Sequence, residues 1–291
     1  MQRVQLESDP TPTRRQYLSW LSLVAAASAF GGLARPARAA GLSDADLMRT
    51  IALWRKHSRL PVPMPDIKGR AQLLAGKTLK AWLPPRGNAP KGAMAMVITD
   101  HSQADMWMGS ADDGHMSDEG DGAKLISHHL PKTGDEMFHW YGFVDLPPPF
   151  TDRHFLIRTT VNSALAKVTH GQCWERTWTL DANGVATMRP IVASGGVEGL
   201  SIEPFEKAIY VPSNVGGWVS LKLPNGQTLF SYHASSSLGG DIPDKLANRF
   251  VMLTLGNIMD EVVRNAGRMR EHYVAGHTPI KSGDGGTVPL Y

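Results

Sequence analysis

The chain has 291 residues, with 30 Lys and Arg against 27 Asp and Glu, a formal net charge of +3 and a single cysteine, Cys173. One cysteine excludes an internal disulfide framework. Five of the basic residues and two of the acidic ones fall in positions 1–39, so the remainder carries 25 of each and offers no basic stripe for nucleic acid.

Those first 39 positions read as an export signal. Thr13-Arg14-Arg15-Gln16-Tyr17-Leu18 is a twin-arginine pattern, followed by an uncharged run from Leu18 to Leu33 and by the small residues Ala37-Arg38-Ala39, which suit a signal peptidase. The run is rich in Ala, Ser and Gly and is a poor permanent membrane span. The expectation is a periplasmic or otherwise exported protein whose mature chain starts at Ala40. Substrates of that route cross the membrane folded.

Next come an accessory helix and a linker, over 40–75. Ser43-Asp44-Ala45-Asp46 predicts a capped helix running to about Ser58, with Leu47, Ile51, Leu53 and Trp54 apolar, and Pro61-Val62-Pro63-Met64-Pro65 ends it. The main domain, 76–272, opens with Ala71 to Lys80 and Gly92 to Val97 around a turn at Pro84 to Asn88. A short helix is predicted over Ser102 to Ala111, followed by a Gly- and acid-rich loop over Asp112 to Asp121.

From Lys124 onward the period is that of strands. Lys124 to Leu130, Glu136 to Val144, Arg153 to Asn162, Gln172 to Asp181, Ala186 to Ala193, Glu203 to Pro212, Gly217 to Leu223 and Gln227 to Ala234 are short, rich in aromatic or β-branched residues, and bounded by turn formers. Asp181-Ala182-Asn183-Gly184 and Pro224-Asn225-Gly226 predict hairpin turns.

The last element is a long helix. Gly239-Gly240 makes a turn, Asp241 is the expected N-cap and Pro243 sits in the first turn, where its missing N–H costs nothing. Leu246, Phe250, Leu253, Ile258, Val262, Ala266 and Met269 mark one face, widened by Val251, Leu255, Met259 and Val263. A face this broad needs a large apolar surface, so the layout is α+β: an antiparallel sheet curling round one helix. Residues 273–291 read as a flexible tail.

Tyr141-Gly142-Phe143-Val144-Asp145-Leu146-Pro147-Pro148-Pro149-Phe150-Thr151-Asp152-Arg153-His154-Phe155-Leu156-Ile157-Arg158 resembles the strand, Pro-Phe, Thr-Asp-Arg, strand passage of START domains, the lipid-transfer branch of the helix-grip superfamily. Gly239 to Phe250, with Pro243, Leu246, Asn248 and Arg249, is similar to that family's last turn and helix start. Trp218 and Thr228 to His233 fall between in the expected order. One departure is Asp105-Met106-Trp107-Met108-Gly109-Ser110-Ala111-Asp112-Asp113, which keeps Trp107 and Asp112 but lacks an aromatic after the acid.

The resemblance implies a helix-grip fold with an internal hydrophobic cavity and no cofactor. It also implies a hydrophobic ligand, a lipid such as a sterol-like, hopanoid-like or other terpenoid molecule, with transient membrane contact, and a gate formed by Ser235 to Gly240 and the long helix. The residues expected near the cavity are Phe143, Trp174, Trp178, Trp218, Met252, Leu255 and Met259, with Arg158 as one of several strand charges, beside Glu175, Arg176 and Arg189, able to hold a head group. The alternative is a cyclase or dehydratase acting on a polyketide-like substrate in the same cavity, with Tyr210, His233 and Asp145 as proton-handling groups. The histidines His101, His115, His128, His129 and His139 lack the spacing of a zinc site. Cys173 beside Trp174 reads as a buried small hydrophobe.

Overall fold

A computed structural model describes residues 41–85, 90–112, 124–131, 136–146, 150–240 and 244–291. The expected signal segment, most of the Asp112 to Asp121 loop and the expected cap at Asp241 to Pro243 lie outside the described residues. The elements run α1 (Asp44–His57), α2 (Ile67–Leu74), β1 (Leu79–Leu83), β2 (Gly92–Thr99), α3 (Gln103–Gly109), β3 (Lys124–Leu130), β4 (Glu136–Asp145) and β5 (Arg153–Val161). They continue α4 (Ser163–Val168), β6 (Cys173–Leu180), α5 (Gly184–Ala193), α6 (Ile202–Lys207), β7 (Ile209–Tyr210), β8 (Ser213–Lys222), β9 (Thr228–Ser237), α7 (Asp244–Ala266) and α8 (Met269–His272).

The fold is α+β. One curved sheet has the order β1-β2-β9-β8-β6-β5-β4-β3, antiparallel throughout, with the two-residue β7 added parallel to β5. Because the pleat alternates and paired residues share a face, the register sorts every side chain. Ala93, Ala95 and Val97 of β2 are in phase with Phe230 and Tyr232 of β9, Trp218 and Ser220 of β8, Trp174, Arg176 and Trp178 of β6, and Ile157, Thr159 and Val161 of β5. This is the inner face, on which α7 lies. Leu255, Met259, Val262 and Ala266 recur at helical spacing and are buried against Ala93, Ala95, Val97, Met106 and Phe230. Each larger side chain among them contributes about 1.5–3 kcal/mol by leaving water.

The opposite, outer face is covered twice. Leu47, Ile51 and Trp54 of α1 pack with Leu73 of α2 on Met94, Met96, Ile98, Val219, Leu221 and Leu229. Ser43 caps α1 by accepting from the Asp46 N–H at 3.0 Å. Farther along, Met188 and Val192 of α5 and Phe205 of α6 pack on Tyr141, Phe143 and Leu156.

Three differences from the sequence reading stand out. Ala186 to Ala193 is helical rather than extended: Met188 and Val192 are one turn apart and both buried, which favours α5 despite the interior Pro190. Glu203 to Pro212 holds α6, with Pro204 in its first turn, and only the short strand β7. Residues 273–291 are folded: Tyr273, Ser282 and Val288 are buried, and Lys281 bridges Thr287. Among the described residues, no helix is long and apolar enough to cross a membrane.

Candidate functional site

The inner face between the sheet and α7 carries an aromatic floor. The Trp218 ring centroid lies 4.2 Å from that of Tyr232 and 5.3 Å from that of Phe230, and Trp178 stacks on Tyr232 at 5.9 Å. These residues come together because β6, β8 and β9 are adjacent and in register, so Trp178, Gly216 and Ala234 share one row and Arg176, Trp218 and Tyr232 the next. Gly216 leaves room for the Trp178 ring, since a Cβ there would overlap it. Burial pushes the Tyr232 phenol up to about 12, so it stays neutral.

Arg176 stands in this floor and is only 3% exposed. Its guanidinium donates to the Ser110 carbonyl at 2.5 Å, the Ser110 hydroxyl at 2.9 Å and the Trp107 carbonyl at 3.4 Å, and lies 5.0 Å from the Trp107 ring centroid and 5.9 Å from that of Trp218. Among the described residues no carboxylate pairs with it. Burial lowers its pKa to about 9, which still leaves it charged at neutral pH.

The nominated residues divide. Trp174, Trp178 and Trp218 are on the inner face, and Met252, Leu255 and Met259 of α7 pack in the cluster over it. Met252 is half-buried, and its carbonyl accepts from Lys80 Nζ at 3.2 Å, tying α7 to β1. Phe143 and Arg158 are a correction. The register places both on the outer face, Phe143 under α5 and α6, and Arg158 with its Nε and Nη2 2.9 and 2.8 Å from Asp181 Oδ2. His139 Nε2 approaches the same oxygen to 3.3 Å without a hydrogen-bonding angle. Burial pushes the Asp181 carboxyl up, but the Asn183 N–H, Arg158 and His139 together hold it below the usual range.

Arg176 was legible in sequence: it sits two residues from Trp174 and two from Trp178, both nominated, and alternation alone puts the three on one face. Tyr232 follows from the same logic in β9.

The groups nominated for proton chemistry are not brought together. His233 is buried on the outer face beneath Trp54, with the rings edge-on at 5.7 Å, and burial drives its pKa down to about 3. The Tyr210 hydroxyl donates to the Asp181 carbonyl at 2.5 Å, and Asp145 is exposed at the end of β4. Cys173 is buried on the outer face, where burial and the neighbouring Glu175 charge raise its thiol pKa well above the ordinary value. Such a thiol is a poor nucleophile. No three His, Cys, Asp or Glu converge among the described residues. Two surface hollows of about 560 and 470 Å³ lie along α4 and the 281–285 turn, and none of the nominated residues lines them.

Comparison with protein-family models and with curated proteins finds no match. Among solved structures, the chain is similar to a STAR-related lipid transfer protein from Xanthomonas axonopodis, at 16% identity over 70% of this chain and 96% of that one, with a TM-score of 0.48. It is similar to human STARD10 at 10% identity over 74% and 85% of the two chains, with a TM-score of 0.47. The Zhui aromatase/cyclase from a Streptomyces species is similar at 11% identity over 64% and 98%, with a TM-score of 0.37.

Proposed function

We propose that this protein binds a hydrophobic ligand between the inner face of the sheet and α7, and carries it unchanged after export through the twin-arginine route. The observation that carries the reading is Arg176, a buried guanidinium that no carboxylate pairs with among the described residues, set in a floor of Trp218, Tyr232, Phe230 and Trp178 beneath an apolar helix. A buried cation whose described partners are neutral oxygens retains capacity for an anionic or strongly accepting group. A ligand with an apolar body and an acidic or oxygenated end, such as a lipid or an oxidised terpenoid, matches that arrangement. Removing about 300 Å² of its apolar surface from water is worth roughly 7 kcal/mol before the costs of binding.

The test is to purify the chain from Ala40 under native conditions, extract it with organic solvent and identify what emerges by mass spectrometry. The expected result is an amphiphile in near-stoichiometric amount that is recovered chemically unchanged after incubation with the protein. Its conversion during incubation would replace the carrier reading with an enzymatic one.

A further inference from the structure

The end of the chain occupies part of the face assigned to the ligand. Ile280, Val288 and Leu290 pack with Trp107, Met137, Val161 and Tyr273, and the group includes Phe138 and Trp174 of the inner face. Gly283 lies so close to Trp174 that a Cβ there would overlap the indole. We propose that residues 280–291 are a strap across the inner face and that the ligand enters by displacing it; this rests on the ligand-binding reading above.

The strap is built to move as a unit. Val288 N–H donates to the Ile280 carbonyl at 2.8 Å, Ser282 N–H to the Gly286 carbonyl at 3.0 Å, and the Asp284 carboxylate accepts from Ser282 Oγ and from Gly286 N–H. All these bonds are internal and survive displacement. The connector from α8 is largely exposed and contains Gly276 at φ +96°, a conformation that glycine adopts without strain.

Polar bonds among the described residues join the strap to the body. Trp107 Nε1 donates to the Lys281 carbonyl at 2.9 Å, Tyr291 N–H to the Tyr273 carbonyl at 2.9 Å, and the Tyr291 hydroxyl to the Asp105 carboxylate, with Arg270 5.0 Å from the Tyr291 ring centroid. Meanwhile Trp174 Nε1 is buried without an acceptor among the described residues. The strapped state therefore leaves a donor unsatisfied beneath it, and a ligand oxygen or water admitted by opening would satisfy that donor.

The test uses the full mature chain carrying Arg270→Cys and Tyr291→Cys, two exposed positions, joined by a short bis-maleimide; buried Cys173 does not compete. The probe is cis-parinaric acid, a fluorescent fatty acid, with its association rate measured by stopped flow. Cross-linking is expected to slow association by about tenfold or more relative to the same variant before linking, and Gly283→Ala, which unseats the strap from Trp174, to speed it several-fold. Equal rates before and after linking, with binding intact, overturn the strap and leave the ligand site standing. Absence of binding in every variant, Gly283→Ala included, overturns the ligand site and the strap together. Binding by Gly283→Ala alone supports the strap in its tightest form.

Discussion

Glu175 and Arg176 are consecutive in β6, both buried, and point through opposite faces of the sheet into unlike surroundings. The Glu175 carboxylate accepts from Trp54 Nε1 at 3.3 Å, the Arg59 N–H at 2.8 Å, Asn162 Nδ2 at 2.7 Å and the Ser58 hydroxyl. It fastens the end of α1 and the start of α4 to the outer face. Among the described residues, the Arg176 guanidinium donates to carbonyl and hydroxyl oxygens of Ser110 and Trp107 and lies over the Trp107 and Trp218 rings. One charge is consumed by structure, while the other is the head-group partner proposed above.

Replacing Glu175 with Gln keeps the volume but presents an N–H₂ group to a ring of donors. Hydrogen bonds to a charged group are worth about 1.5–3 kcal/mol, and breaking a buried network costs several. We expect a loss of about 2–4 kcal/mol in urea unfolding, with faster amide exchange over residues 44–58. Unchanged exchange there would show that α1 is held by Leu47, Ile51 and Trp54 alone.

Replacing Arg176 with Met should have the opposite balance. Removing a buried charge that no described carboxylate neutralises is expected to leave stability nearly unchanged or to raise it, while affinity for a fatty acid falls about tenfold or more, in line with the loss of a charged hydrogen bond. The matching fatty alcohol serves as the control. Equal losses for acid and alcohol would remove Arg176 from the head-group role.

Large side chains on α7 should separate packing from occupancy. Leu255 is fully buried against Ala95 and Phe230, so Leu255→Trp overpacks the cluster and costs about 1–3 kcal/mol. Met252 is half-buried, and Met252→Trp should lower binding of cis-parinaric acid with little change in Tm. A Tm loss as large as that of Leu255→Trp would place Met252 in the core rather than at the ligand.

Acid should weaken the fold through two buried histidines. Burial lowers the pKa of His154 to about 4 and that of His233 to about 3, against about 6.5 in an unfolded chain. Between those values the unfolded state binds more protons, so this stability is complete above pH 6.5 and is lost as pH falls toward 4. We expect a decline of about 3–5 kcal/mol between pH 7 and pH 4.5 in urea titrations. NMR signals of either imidazole titrating near pH 6.5 in the folded protein would contradict this.

Export has its own test. Lysine at both Arg14 and Arg15 preserves the charge of the segment but breaks the twin-arginine pattern. The precursor is expected to remain in the cytoplasm on cell fractionation; its appearance in the periplasm would assign the signal to the general secretory route.

Much of this was legible because alternation is a strong signal where a strand is half covered. The strands from Lys124 to Leu180 fall within a residue or two of their expected limits. The absolute phase of each strand was not legible. Arg158 looked like a head-group partner, yet β5 pairs it with Thr179 and so turns it outward, and the bulge between Glu136 and Phe138 shifts phase again in β4. The excursion at 184–207 was misread because Val, Thr and Ile favour strands locally, whereas the one-turn spacing of Met188 and Val192 against Tyr141 and Phe205 decides for helix. The terminal segment read as a loose tail because most of the apolar partners of Ile280, Val288 and Leu290, Trp107, Met137, Val161 and Trp174 among them, lie more than 100 positions earlier.

The strand order also governs when the molecule can be completed. The hairpin of β1 and β2 finds its other neighbour only in β9, with Ala93 opposite Ala234 and Thr99 opposite Thr228. While the chain is being synthesised, β2 has a bare edge and no cover for Ala93, Ala95 and Val97 until α7 emerges. Folding must close a loop of well over 100 residues late, a topology of high contact order that is intrinsically slow and exposed to aggregation. A chain that leaves the cytoplasm already folded would spend that vulnerable interval among cytoplasmic chaperones, waiting for β9 and α7 to be made.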